Sequence, residues 1–103
     1  MNTQSYPCTL KPNGEACVAI GDFCYDEHKE YLYIVLPNKR GTFDLDSAGR
    51  AALFAIGISR DHGQLPPQVW GWDGNVEKPT LTPSIDYRDN WHGYLLGDVL
   101  QSC

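Results

Sequence analysis

A chain of 103 residues with 42% hydrophobic and 20% charged residues has the size and composition of one ordinary globular domain, which argues against both a disordered chain and two separate cores. The net charge is -5, and the Lys and Arg residues stand singly except for Lys39-Arg40, so the basic stripe that direct nucleic-acid binding requires is missing. The apolar runs at 31–36 and 51–56 fall far short of the roughly 20 residues of a membrane span, and the first seven residues have neither the basic start nor the apolar run of a secretion signal, so a cytoplasmic protein with reduced thiols is expected.

Residues 1–15, with Pro7, Pro12 and the turn signal Asn13-Gly14, read as an irregular arm or an edge strand. The apolar stretch 16–20 suits a strand ended by Gly21-Asp22, and the acidic stretch 22–30 links it to 31–36, the clearest strand in the chain. Residues 42–45 alternate polar with apolar and pair back as a hairpin whose tip is Lys39, Arg40 and Gly41. Asp46-Ser47 is a good N-cap for a helix over 46–58, with Ala52, Leu53 and Ile56 on one face, ended at Gly57 or by Asp61-His62-Gly63.

After the stiff loop at Pro66-Pro67, the segment 69–72 places Trp70 and Trp72 on one side of a strand, followed by the Asp73-Gly74 turn. Prolines hold 79–85 extended, and 94–100 supplies two strand-like runs around Gly97-Asp98. These elements predict a single α+β domain: a small, twisted antiparallel sheet or partial barrel of about five to seven strands with one packed helix. Contact between helix and sheet is expected to involve Leu53, Ile56, Tyr33 and Val35.

Three constellations could carry chemistry. Cys8, Cys17, Cys24 and Cys103, with His28, supply zinc-ligand types, but their spacing lacks the close pairs of structural zinc sites, so no cofactor is expected and zinc is the alternative. Ser84, His92 and Asp86 or Asp98 supply the types of a nucleophile, a base and an orienting acid, without the nucleophile elbow or phosphate loop that would mark a hydrolase. Trp70, Trp72, Trp91 and Tyr94 form the densest aromatic group; it suits a core, and Trp and Tyr also anchor protein interfaces. His92 and the polar flank of Asp73, Asn75 and Glu77 would complete a binding site there.

The strings Trp70-Gly-Trp-Asp-Gly74, Lys78-Pro-Thr-Leu-Thr-Pro-Ser-Ile85 and Trp91-His-Gly-Tyr-Leu-Leu-Gly-Asp-Val99 resemble a family of small phage and prophage proteins of unknown function. The resemblance covers about a third of the chain, within 69–100, and implies a phage-type origin and a compact β-rich fold. Bacterial relatives often carry a cysteine before the histidine; here that position is Trp91, so the resemblance carries over no metal ligand. The expected function is therefore a non-catalytic accessory protein that docks on a host or phage protein. Its most concrete form is inhibition of a host defence complex, in the manner of an anti-CRISPR protein; homodimerisation is compatible with the exposed aromatics and edge prolines. The alternatives are a zinc-supported domain and a small hydrolase using His92 and Ser84.

Overall fold

A computed structural model of the chain describes residues 5–58, 71–82 and 84–102. The described residues contain ten strands: Ser5–Pro7 (β1), Thr9–Leu10 (β2), Asp22–Tyr25 (β3), Tyr31–Ile34 (β4), Phe54–Gly57 (β5), Gly71–Trp72 (β6), Leu81–Thr82 (β7), Ile85–Tyr87 (β8), Trp91–Leu96 (β9) and Val99–Ser102 (β10). Sheet I runs β1-β10-β9-β8 and is antiparallel throughout; sheet II runs β2-β3-β4-β5, with β2 parallel to β3; β6 and β7 form a two-stranded ribbon. A bridge between Thr80 and Leu96 ties the ribbon to sheet I.

Period-two alternation decides which side chains meet. Phe23, Leu32, Ile34 and Ile56 from sheet II face Ile85, Leu95 and Leu100 from sheet I, and all are fully buried in one cluster between the sheets. Full burial of side chains of this size contributes about 1.5–3 kcal/mol each, so this cluster dominates the favourable side of folding. The intervening residues Cys24 and Tyr33, with Val35, point to the other face of sheet II, where Cys17 and Ala51 complete a second buried cluster and Phe43 and Leu53 pack on it.

The chain crosses from sheet I to sheet II between β1 and β2. The chain leaves sheet I after Pro7 and enters sheet II at Thr9; at the crossing the Cys8 amide donates to Asp98 O (2.8 Å) and the Thr9 amide to Gly21 O (3.1 Å). Gly21 sits there with φ +95°, and any Cβ on it would overlap the Pro7 carbonyl, so the crossing requires glycine on both steric and conformational grounds.

The α+β expectation is overturned: among the described residues the only helical element is the single 3-10 turn Gly14–Ala16, and no helix occupies 46–58. The Asp46 carboxylate does not open a helix. It accepts from the Ala48 and Arg50 amides (both 2.9 Å), while the Asp46 amide donates to Arg50 O (2.7 Å) and Gly49 turns with φ +79°. That closes a tight loop between bridged Leu45 and Ala51, and the chain continues as β5 along β4. Local propensity loses to pairing, because β4 would otherwise present unpaired backbone groups at a sheet edge. The expected contact between helix and sheet is therefore absent: Leu53 and Tyr33 pack on the cluster that contains Val35, whereas Ile56 lies on the opposite face, across from Leu32.

Other expectations shift. Residues 42–45 contribute only the bridge at Leu45, and the turn at Lys39-Arg40-Gly41 is held instead by buried Asn38, whose Oδ1 accepts from the Arg40 and Thr42 amides. The strand expected at 16–20 begins at Asp22, buried because its carboxylate accepts from the Val18 and Ala19 amides (2.9 and 3.0 Å). The β9–β10 hairpin around Gly97-Asp98 forms as read. Asp61-His62-Gly63, Pro66-Pro67, Trp70 and Cys103 lie outside the described residues.

Candidate functional site

The alternation that buries Gly93 and Leu95 turns His92, Tyr94 and Leu96 outward from sheet I. Strand register sets their neighbours: Asp86 lies across from His92, Gln101 from Tyr94 and Val99 from Leu96. Ser5 and Pro7 extend the last two rows onto β1. The result is a face on which the rows of Tyr94 and Leu96 are three strands wide, and these two side chains remain 40% and 43% exposed. Two large side chains left exposed on one sheet face, Tyr94 beside Gln101 and Ser5, and Leu96 beside Val99 and Pro7, make an apolar patch with polar neighbours on one side, a composition that suits an interface.

The same face brings together two residues that the sequence separates. Ser84 Oγ and His92 Nε2 share a hydrogen bond of 2.8 Å, with Asp86 directly across the strand pair from His92. A hydroxyl within bonding reach of an imidazole is the first geometric requirement for nucleophilic activation. His92 is exposed, so the pair stands in high-dielectric surroundings, where hydrogen bonds to a developing charge are worth little.

The tryptophans serve a different purpose. Trp72 packs against the core, with its ring centroid 5.7 Å from that of Tyr25, and its Nε1 donates to Asn75 O (3.3 Å). Trp91 points inward, one residue out of phase with His92; its Nε1 donates to Ser102 Oγ (2.8 Å), and its ring lies over Gly93, where an added Cβ would come 2.6 Å from Cη2. Asp73 Oδ1 accepts from the Asn75 and Thr80 amides, and Asn75 Oδ1 from the Glu77 and Lys78 amides, so both side chains are committed to shaping their own turn. Glu77 is exposed on that turn. The expected site thus divides into His92 and Tyr94 on the outer face, Trp72 and Trp91 in the packing beneath, and Asp73, Asn75 and Glu77 on the ribbon turn.

Among the described residues the zinc-ligand types do not all converge. Cys8 packs on the cluster between the sheets and Cys17 and Cys24 lie in the cluster on the far side of sheet II, while His28 is exposed in the turn before β4. Burial, with the Asp98 and Asp22 carboxylates behind it, pushes the Cys8 thiol up to about 12. Burial, then the adjacent Cys24 thiol, does the same for Cys17, and burial raises Cys24. Among the described residues no group of His, Cys, Asp and Glu has the arrangement of a metal site, and no helix is long and apolar enough to cross a membrane.

Sequence patterning could have found Tyr94 and Leu96 as a pair, since they alternate with Gly93 and Leu95. The approach of Ser84 to His92 follows from the β8–β9 register, for which the sequence carries no local signal. No family model, curated protein or solved structure matches the chain.

Proposed function

We propose that this is a non-catalytic, phage-type accessory protein that docks on a host or phage protein through the outer face of sheet I. The observation that carries the reading is the exposure of Tyr94 and Leu96 on neighbouring rows of that face. Tyrosine supplies large contact area at low entropic cost, and its adjacency to exposed Leu96 makes an apolar patch that a partner would cover. The negative net charge suits a partner with a basic surface, such as a defence complex that handles nucleic acid, whose inhibition is the most concrete form of the proposal. The resemblance of 69–100 to small phage proteins supports the same reading.

The test is capture from a bacterial lysate with the wild-type protein, Leu96→Asp and Trp72→Ala side by side, each first checked for folding by thermal melting. One host or phage complex retained by wild type and by folded Trp72→Ala, but lost with Leu96→Asp, is the expected outcome. Equal retention by Leu96→Asp would remove this face from the interface.

The hydrogen bond between Ser84 and His92 favours a second reading, a small hydrolase with Ser84 as nucleophile and His92 as base. It predicts covalent labelling of Ser84 by a fluorophosphonate and loss of labelling in His92→Ala; an unlabelled Ser84 in the folded protein sinks it.

A further inference from the structure

The cysteines that fail as metal ligands form a pair of another kind. Cys17, just after the 3-10 turn, and Cys24, in the middle of β3, are both buried in the cluster on the outer side of sheet II, at 2% and 3% exposure. Both are free thiols in the same buried cluster, where Cys17 Sγ donates to Asn13 O (3.6 Å) and the neighbouring Cys24 helps to raise the Cys17 thiol. Cys8 is separated from them by the thickness of the sheet. Cys17 is also reachable: it lines a cleft of about 280 Å³ whose other walls include Val18, Phe43, Leu45, Arg50 and Ala51. Val18 and Leu45, which also line it, are 65% and 63% exposed, so the cleft that Cys17 lines opens to solvent.

We propose that Cys17 and Cys24 form a redox couple, converted to an intramolecular disulfide by a low-molecular-weight disulfide entering through this cleft. The Cys17 thiolate attacks one sulfur of the reagent, forming a mixed disulfide and releasing one reagent thiolate, which takes up the proton Cys17 gave to solvent. The Cys24 thiolate then attacks the Cys17 sulfur, closing the protein disulfide and expelling the second reagent thiol. Two protein thiols are oxidised and one reagent disulfide is reduced to two thiols. The new bond staples the 3-10 turn to β3 beneath the loop that carries Leu45. Because burial keeps the Cys17 thiol protonated, its thiolate fraction, and with it the oxidation rate, rises about tenfold for each pH unit between 7 and 9.

The experiment oxidises the folded wild-type protein with 2-hydroxyethyl disulfide, blocks remaining thiols with N-ethylmaleimide after denaturation, digests without reduction using a protease that cleaves before Asp22, and fragments the linked peptides to tell Cys17 from Cys8, which stay on one peptide. The expected result is a peptide pair linked through Cys17 and Cys24, with Cys8 alkylated, and in parallel a Cys17→Ala variant in which Cys24 is alkylated. Recovery of both Cys17 and Cys24 as alkylated peptides overturns the proposal, as does a link from either of them to Cys8 or Cys103. A rate that is flat from pH 7 to 9 would overturn the assignment of Cys17 as the entry thiol.

Discussion

Gly49→Ala separates the loop at 46–50 from the helix that the same residues suggest, because the two structures give the substitution opposite signs. In the loop Gly49 has φ +79°, and a Cβ built there meets nothing within 4 Å, so the whole native-state penalty is conformational. A left-handed alanine costs about 1–2 kcal/mol, and the reduced freedom of the unfolded chain returns about 0.4–1 kcal/mol. The net is a loss of about 0.5–1 kcal/mol, which lowers Tm by several degrees in a domain of this size. In a helix interior the same change would add about 1 kcal/mol of stability. Urea and thermal unfolding of wild type, Gly49→Ala and Gly49→Asn measure this directly. Asparagine tolerates the left-handed region and is expected to fall between the other two. A Gly49→Ala variant more stable than wild type would refute the loop.

Asn38→Ala removes two acceptor contacts and the 3.0 Å bond from Nδ2 to Asp44 at a position 5% exposed, and is expected to cost about 2–3 kcal/mol in urea denaturation, since the Arg40 and Thr42 amides lose their partner. Trp72→Ala strips a half-buried ring from Tyr25 and is expected to cost about 2 kcal/mol in the same assay while leaving capture through sheet I intact. The Asp46 carboxyl is held below its ordinary value by the backbone amide of Arg50, then by that of Ala48. Its folded value is lowered, so its contribution to stability is fully present above the unfolded value of about 3.9 and is lost as pH falls through the lower folded one. Asp46→Asn keeps the oxygen acceptor without the titration, so stability measured from pH 5 to 2 is expected to fall less steeply than in wild type.

What the sequence discloses is what short-range chemistry decides. The run 31–36 reads as a strand because aromatic and β-branched residues crowd it, and most of it is β4. The turn at Gly97-Asp98 reads as a hairpin because its glycine supplies the positive φ of +67°. The segment 46–58 misleads because Ala52, Leu53 and Ile56 satisfy helical spacing, while the deciding facts are the capture of two amides by Asp46 and an edge of β4 in need of a partner. Asp22 reads as the start of an acidic link between strands; the turn at Val18 and Ala19, which supplies the amides, makes its buried carboxylate tolerable within β3. For the candidate site, the sequence identifies His92 and Tyr94 but joins them to Trp91. Alternation along β9 puts that tryptophan on the other side of the sheet, in the core.

The central claim is that the outer face of sheet I meets another protein, and site-specific photocrosslinking tests it most directly. Benzoylphenylalanine placed at Tyr94 is expected to give, on irradiation in the host cytoplasm, a covalent adduct with one host or phage protein, while the same probe at Leu45, on the far side of sheet II, gives none. Adducts from Leu45 but not from Tyr94, or from Tyr94 only to a second copy of this chain, would contradict the account.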